Sequence, residues 1–282
     1  MNRKLPRFPE DFVQSHPGLG ILRLAALIAE DGAIDEDTLD LMFEQMESDA
    51  FASTPPAEMW PELARGLMAP APSLMIRALH ECGVLEAVQP EVTALFGVPQ
   101  MATHNEVDLG VHLLNSLDEA ARQGAPVEVR FALLVMNVGK SDSPREHLPA
   151  HYRHIERGAP RIEAICDRFQ VSAACRQLAL LALAECERVH RVSEVRAGPV
   201  AAMLERIGAF DDPETFGLLM RVCACDFLAY EGTGDTTYPK AELLETALRA
   251  CAEIGETDDV QSARALAIAK VFRSERWSGK AV

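Results

Sequence analysis

Apolar residues recur every three or four positions along most of the chain, which is the spacing of an α-helix with one buried face. One such stripe ends before Gly124 and consists of Val107, Val111, Leu114, Leu117 and Ala121. Runs that alternate between apolar and polar residues, as a half-buried strand requires, are nearly absent. The pattern therefore predicts an all-α fold.

Capping residues and prolines predict several helix boundaries. Ser73 is expected to cap a helix that ends before Gly83. Pro126 is expected at the first position of a helix that Gly139 terminates. Three further helix starts are predicted at Ser172, Pro199 and Asp212–Pro213.

Two segments interrupt the helical pattern and are predicted to be loops. Ser141–His151 contains two prolines, and Glu231–Thr237 is rich in glycine and threonine. The composition changes at Gly97–Ala102, which is the best domain boundary. The sequence then divides into residues 1–100, residues 101–255, and a C-terminal helix and tail at 256–282.

The chain has 282 residues, of which 43 are acidic and 27 are Lys or Arg, so the formal net charge is −16. A hydrophobic content of 48% excludes a disordered chain, and no apolar run is long enough to predict a membrane span. The acidic balance argues against broad electrostatic capture of nucleic acid. A local basic surface is still compatible with it, and Arg145–Arg161 is the best candidate.

The cysteines and the N-terminal residues predict a cytoplasmic protein. Seven cysteines, an odd number without a C-x-x-C pair, indicate reduced thiols rather than a disulfide framework. Met1–Pro9 contains basic residues with no apolar stretch behind them, so no secretory signal is predicted.

Histidines are the residues with the most informative spacing, since six of the eight lie between His104 and His190. Imidazole and carboxylate groups on separate helices are how helical bundles build metal sites. Each histidine can equally be a buried or surface residue, and Cys186, Cys223 and Cys225 can be small core residues. The spacings that suggest convergence are His104-x-Glu106-x-Asp108-x-x-x-His112, His151 with His154, and Cys186 with His190, followed by Asp226 on a later helix.

The order of these residues resembles the C-terminal body of bacterial CCA-adding tRNA nucleotidyltransferases, including the HD-superfamily phosphohydrolase domain that many of them carry. The resemblance runs from about Leu22 to about Leu248. It implies a neck/body-like region over residues 1–100 and a multi-helix, degenerate HD-like domain over 101–255. The stretches that carry it are Ala94–Gln100, His104–His112, Arg130–Leu134, Val138–Lys140 and His154–Gly158, with Asp211–Pro213 and Asp226 at a characteristic helix start and last ligand.

The chain departs from this family in the parts that handle the nucleotide. The family's nucleotidyltransferase head is expected to be missing, since nothing of it precedes Met1–Gly20. In the neck, Ala26 stands at a position where the family has arginine, and Glu58 stands at another. An anion beside a triphosphate repels it. CCA addition is therefore not expected.

The second departure is the dyad that names the HD domain, because Met136-Asn137 replaces His-Asp. By resemblance, the metal ligands are His112, the two dyad positions and Asp226, with His154 and Cys186 or His190 around the phosphate or a second metal. A thioether and a neutral carboxamide are poor ligands for a hard divalent ion, and Met136 is expected to pack in the core.

A retained metal (Fe, Mn, Zn or Ni) would depend on the remaining ligands, which are His112, His154, Asp226 and Asp108, together with His190. Cys186 would favour Zn²⁺ or Fe²⁺. Lys140 and Arg157 are expected to clamp a phosphate if they point inward, or else to be solvated charges near a helix end.

The leading hypothesis is a headless, catalytically silenced relative that acts as a binding or regulatory protein. The resemblance implies tRNA or another phosphate-bearing ligand as partner, and the exposed neck suggests a homodimer. The alternative is a metal-dependent phosphohydrolase, a phosphatase or 2′,3′-cyclic phosphodiesterase. In it Glu106 or Asp108 supplies the charged ligand, and His154 or His190 is the acid or base. A third hypothesis is a metal-free reaction on a small molecule.

Overall fold

Helices dominate the structure, a computed structural model that describes residues 16–34, 36–46, 54–101, 106–192, 196–230, 237–255 and 259–278. Within these ranges there are fourteen α-helices, two short 3₁₀ turns and one pair of three-residue strands. The predicted all-α fold is confirmed. His104 and nearly all of the predicted loop Glu231–Thr237 lie outside the described residues.

The chain divides into two compact units between Leu183 and Ala184, within helix α10 (Ala173–His190). The sequence-based division at residues 100 and 255 follows the family resemblance and stays a prediction. In the first unit, the elements before α10 are α1 (Pro17–Asp31), α2 (Glu36–Met46), α3 (Pro56–Met68), α4 (Pro72–Glu81), α5 (Val84–Val88), α6 (Pro90–Thr93), β1 (Pro99–Met101), β2 (Glu106–Asp108), α7 (Leu109–Arg122), α8 (Val127–Val135) and α9 (His154–Phe169). The remaining elements are α10 (Ala173–His190), α11 (Ala197–Ile207), α12 (Pro213–Leu228), α13 (Pro239–Ala250) and α14 (Val260–Ser278).

Helix α1 is the centre of the N-terminal part of the first unit. Its apolar face is buried, and it packs against α3 and α4. Two ion pairs join α1 to α3: Arg23 Nη2 lies 2.6 Å from Glu62 Oε1, and Arg65 Nε lies 2.7 Å from Glu30 Oε1. The cations of these helices are therefore directed at neighbouring helices.

A buried arginine connects α3 to α8. Arg130 is only 4% exposed. Its Nη1 donates to the backbone oxygens of Leu67 at 2.7 Å and Ala69 at 2.9 Å, and its Nε donates to Ala125 O at 2.9 Å. Carbonyls at the end of a helix have no partner within the helix. The guanidinium of Arg130 satisfies them and so fixes the end of α3 against α8.

Two predicted helix starts, and one residue of a predicted helical stripe, are corrected by the structure. Ser73 lies inside α4, and its hydroxyl donates to Asp118 Oδ2 at 2.6 Å instead of capping the helix. Val107 belongs to β2, which pairs antiparallel with β1, so the following helix begins only at Leu109. Pro199 lies inside α11, which begins at Ala197.

The predicted α8 boundaries are also shifted. Pro126 is the N-cap residue and not the first helical residue, and α8 ends at Val135. Gly139 is part of the 3₁₀ turn Val138–Lys140 and does not terminate the helix.

Two predicted helix starts are confirmed by their side-chain caps. Ser172 Oγ accepts from the amide of Cys175 at 3.3 Å at the start of α10. Asp212 Oδ1 accepts from the amide of Thr215 at 2.9 Å, and Pro213 is the first residue of α12. A short polar side chain that caps its own helix thus predicted both boundaries, and at α12 the following proline adds to the signal.

In the second unit, α11 packs against α14 and α13, and α12 packs against α13. Glu185 is buried and accepts from Arg206 Nε and Nη2, both at 2.8 Å, and from Arg188 Nη1 at 2.7 Å. Burial alone would raise the pKa of Glu185, but the two guanidinium groups lower it below its ordinary value. This carboxylate therefore stays ionised and joins α10 to α11.

Within the described residues, no helix is both long and apolar enough to cross a membrane.

The segment after α8 lies directly on α9 through two glycines. A Cβ at Gly139 would come within 2.0 Å of His154 O and 2.6 Å of Gly158 N. Both obstructing atoms are backbone, so they cannot rotate away as a side chain would. The close contact of the 3₁₀ turn with α9 therefore requires glycine at position 139.

We expect Gly139→Ala to lower the free energy of unfolding by about 3 kcal/mol, because the added methyl group must push backbone atoms apart. Urea unfolding followed by circular dichroism measures this. Gly217→Ala is the matched control, since no heavy atom lies within 4 Å of its added Cβ and the site is inside α12. That control should gain up to about 1 kcal/mol from helix propensity. Wild-type stability in Gly139→Ala would contradict the close contact.

Candidate metal centre

The two dyad positions follow α8 in the first unit and are both buried. Met136 is 5% exposed and Asn137 is 8% exposed. Met136 is a core residue whose thioether is a soft donor, and Asn137 offers a neutral amide. His112 on α7 is buried as well, and its Nε2 lies 3.5 Å from the hydroxyl of Ser116. Of these three buried side chains, only His112 offers a donor of the kind that the resemblance implies.

The two cations expected to clamp a phosphate hold the surrounding loop. Lys140 is buried, and its Nζ donates to Gln100 Oε1 at 2.6 Å. Arg157 donates to Gly139 O at 3.0 Å, to Tyr152 O at 2.8 Å and to Ser143 Oγ at 2.9 Å. The alternative expectation, that both are solvated charges near a helix end, does not match these contacts.

His151 and His154 lie where the loop enters α9. His151 contacts Ser143 Oγ through Nδ1 at 2.8 Å and Pro99 O through Nε2 at 3.0 Å, so both of its ring nitrogens are engaged. His154 Nδ1 lies 2.8 Å from His151 O. The Nδ1 of His154 thus fixes its ring against the loop, and its expected roles as metal ligand and as acid or base stay predictions.

The position of Asp108 does not favour its expected role as a metal ligand. Its Oδ1 accepts from the amide of Val111 at 2.9 Å, and its Oδ2 accepts from the amide of Gly97 at 2.5 Å. Both oxygens are therefore used to cap α7 and to fix the turn before β1. Glu106, the other acidic candidate, is exposed on β2.

In the second unit, three different ligand side chains converge. Helix α10 contributes Cys186 and His190, one turn apart, and α12 contributes Asp226. His190 Nε2 lies 2.9 Å from Asp226 Oδ2 and 3.3 Å from Cys186 Sγ. The three ligand atoms all lie within 4.8 Å of one another, and among the described residues they form the one such group of three His, Cys, Asp or Glu.

A second layer of side chains orients His190. The hydroxyl of Tyr238 lies 2.7 Å from His190 Nδ1, and the two rings meet edge to face with centroids 5.5 Å apart. The ring of Phe227 also packs against Tyr238, with the two ring centroids 5.2 Å apart. With Nδ1 engaged by Tyr238, the Nε2 atom of His190 faces Cys186 and Asp226.

The electrostatics of this cluster favour a charged imidazole and a neutral thiol when no metal is bound. Burial acts to lower the pKa of His190, but Cys186 and the Asp226 carboxylate raise it above its ordinary value. A hydrogen bond with Cys223, together with burial, raises the pKa of Cys186 well above the usual thiol range. Burial likewise raises the pKa of Tyr238.

These groups do not form a nucleophile–base pair, which is the arrangement that a metal-free reaction would need. In a catalytic triad the nucleophile and the carboxylate bind opposite nitrogens of the imidazole. Here Cys186 and Asp226 both face Nε2, and Tyr238 occupies Nδ1. A thiol with a raised pKa is also a weak nucleophile at neutral pH.

Comparison with known proteins identifies the family. No model of a known protein family matches the chain. A protein of Cupriavidus necator named multifunctional CCA protein is 39% identical over 277 residues, which cover 93% of this chain and 66% of that protein. Proteins of the same name from Paracidovorax citrulli and Burkholderia vietnamiensis are 38% identical over 257 residues and 40% identical over 237 residues.

The chain is a relative of the multifunctional CCA proteins. The resemblance to the C-terminal body of CCA-adding enzymes is thereby confirmed. The chain spans 61% of the Paracidovorax citrulli protein and 57% of the Burkholderia vietnamiensis protein, so it matches about three fifths of those multifunctional CCA proteins.

The divalent metal that the resemblance to an HD domain implies does not fit the side chains at the two dyad positions. Carboxylate oxygen and imidazole are replaced by a thioether and a carboxamide at Met136 and Asn137. His112 and these positions belong to the first unit, whereas Asp226 belongs to the second.

The sequence pattern did not single out Tyr238. It is the N-cap of α13, directly before Pro239, and so it lies on no apolar stripe. Its aromatic character next to a helix-initiating proline was the one available signal. Cys186 and His190 carried a clearer signal, because a spacing of four places both on one face of α10.

We expect Asp226→Asn to destabilise the metal-free protein by roughly 2 kcal/mol, because it leaves the half-buried imidazolium of His190 without its counter-charge. The raised pKa of His190 means that this stabilisation is complete below about pH 6.5 and is lost as the pH rises through the folded value. Unfolding measured with a chelator present should therefore show a larger cost at acidic than at alkaline pH.

Histidine resonances in an NMR titration provide the second readout. Asp226→Asn should lower the pKa of His190, because the carboxylate that favours its charged form is gone. A pKa of His190 that is the same in wild type and variant would contradict the ion pair.

Proposed function

We propose that this chain is a catalytically silent relative of the CCA-adding enzymes that acts as a binding or regulatory protein for tRNA or another phosphate-bearing ligand. The observation that carries the proposal is the buried Met136-Asn137 pair, which lacks the donors that a hard catalytic metal requires. Removing even an outer partner of a metal ligand weakens metal binding by about 10- to 100-fold. Replacing two direct ligands should silence the phosphohydrolase chemistry that the resemblance implies.

The neck-like helices support the absence of CCA addition. Glu58 is exposed on α3 at a position where the resemblance expects a cation. Arg23, which survives from the expected pattern, is paired with Glu62, and Ala26 is buried. These helices therefore offer a triphosphate a negative charge and an arginine that is already paired.

The first unit carries an exposed surface suited to a phosphate-bearing ligand, at residues 145–153. Arg145, His147, Tyr152 and Arg153 are all exposed there, and the rings of His147 and Tyr152 meet edge to face at 5.4 Å. An exposed aromatic ring flanked by arginines can stack a base and bind its phosphates. This surface lies within Arg145–Arg161, the candidate that the sequence indicated.

The second unit offers an open depression of about 460 Å³ between α10 and α11. It is lined by Arg188, Arg191 and Arg206 around Pro199, Ala202 and Met203. Arg188 and Arg206 share the buried carboxylate of Glu185, which holds their guanidinium groups in place. Arg191 is the most exposed of the three and is the phosphate contact that we propose for this unit.

A reducing, cytoplasmic location is part of the proposal. All seven cysteines are free and buried, as expected for a protein that keeps its thiols reduced.

The alternative function, a metal-dependent phosphohydrolase, is supported less well. It needs Glu106 or Asp108 as a charged ligand, but Asp108 caps α7 and Glu106 is exposed on β2. The convergence of His190 with Cys186 and Asp226 is the observation in its favour.

We expect tRNA to bind the purified chain in a filter-binding assay at low salt. Tyr152→Ala should weaken binding about tenfold through lost stacking, and Arg153→Ala should reduce the salt slope by about 1. Arg122→Ala is the matched control. Like Arg153, which pairs with Glu156, Arg122 is an exposed arginine in an ion pair with a residue three positions away, and its removal should not change binding. Arg191→Ala tests the second unit separately.

Two outcomes would contradict this reading. Absence of tRNA binding at low salt would remove RNA as the partner. Rapid metal-dependent release of phosphate from a phosphomonoester or a 2′,3′-cyclic nucleotide by the same preparation would favour the phosphohydrolase.

We further propose that the chain self-associates through its neck-like helices, as the sequence suggested. Helix α2 buries only Thr38 and Met42, whereas Leu41 and Phe43 are exposed. Light scattering should then give about twice the chain mass of 30.8 kDa. Phe43→Ser should return the protein to a monomer, and a wild type that is monomeric at high concentration would end the proposal.

A further inference from the structure

The group Cys186, His190 and Asp226 brings together a sulfur, a nitrogen and an oxygen donor within one compact unit. We propose that these three residues form a zinc site in which Cys186 binds as a thiolate. This inference uses the second unit alone, so it is independent of the dyad positions and of tRNA binding.

The distances already come close to those of a coordination sphere. In a tetrahedral zinc site, bonds of about 2.0–2.3 Å place neighbouring ligand atoms about 3.4–3.6 Å apart. The observed separations are 2.9 Å from Nε2 to Oδ2 and 3.3 Å from Nε2 to Sγ. Both separations from Nε2 are thus a few tenths of an ångström shorter than in such a site, and the third pair, Sγ and Oδ2, lies within 4.8 Å.

The kinds of donor select the metal. A thiolate and an imidazole suit Zn²⁺, whereas Mg²⁺ and Mn²⁺ prefer oxygen ligands alone. Binding replaces the protons of Cys186 Sγ and His190 Nε2, which leave to the solvent as the two bonds to zinc form. The resulting thiolate and the Asp226 carboxylate balance the two positive charges of the ion.

The neighbouring side chains orient the three ligands and bury two of them, as in a metal site. Tyr238 holds Nδ1 of His190, as outer partners of zinc-binding histidines do, and so directs Nε2 at the other two ligands. Cys186 and Asp226 are buried, while the side chain of His190 is 25% exposed. The exposed side is the route by which an ion enters, and it leaves a fourth position for water.

Cobalt substitution in the full chain tests the site, because Co²⁺ bound to a thiolate gives a near-ultraviolet charge-transfer band. The protein is stripped with a chelator, loaded with one equivalent of Co²⁺, and titrated with Zn²⁺. We expect the band to appear and one equivalent of Zn²⁺ to abolish it. Cys186→Ser should lose the band and bind zinc at least about 100-fold more weakly, as expected for loss of a direct ligand.

Cys175→Ser is the matched control, since Cys175 is an equally buried free thiol on the same helix and should leave the band unchanged. Circular dichroism without metal shows whether each variant is folded. If Cys186→Ser fails to fold, His190→Gln provides the second test, with weaker zinc binding expected.

A folded wild type that shows no band would overturn the site. So would a band that persists in Cys186→Ser, or one that Cys175→Ser removes. Zinc binding of wild-type strength in a folded His190→Gln would also count against it.

Discussion

The backbone contact between Gly139 and Gly158 determines the geometry of the first unit around the dyad positions. No side chain fits between the 3₁₀ turn and α9, so the turn lies directly on the helix. Arg157 then bonds to Gly139 O from α9 and fixes the turn from the other side. Backbone packing thus holds the turn on α9, while the side chains at 136 and 137 are a thioether and a carboxamide.

The arginines of the chain fall into those that pair within the fold and those that face solvent. A net charge of −16 is expected to repel phosphate. In addition, several arginines pair with carboxylates of the protein itself. Arg23, Arg168 and Arg206 are paired with Glu62, Glu91 and Glu185. Arg153 and Arg191 also have carboxylate partners, Glu156 and Glu187, but their side chains are 78% and 77% exposed. Together with the exposed Arg145, they are the arginines that we propose to contact an anionic ligand. Net charge describes the molecule as a whole, whereas recognition depends on these few positions.

The helical class and several boundaries could be predicted from the sequence because they depend on local spacing. Asp212 and Ser172 cap helices with their own neighbours, so the signal and the structure lie within a few residues. Ser73 failed as a cap because Asp118, distant in sequence, competes for its hydroxyl. The candidate centre shows the same limit: the spacing of Cys186 and His190 was visible, but the role of Tyr238 depends on how α13 packs. Contacts between distant segments set the parts that local patterns could not predict.

Arg130 has a consequence for how the first unit comes apart. Its guanidinium is buried and bonded to carbonyls at the end of α3. If α3 detached while α8 stayed folded, the buried charge of Arg130 would lose two of its three acceptors, which is a costly intermediate. Partial opening at this junction is therefore disfavoured, and the amide protons of α3 and α8 should exchange with solvent in one cooperative event. A single buried cation thus makes the neck-like helices and the helix before the dyad one folding unit.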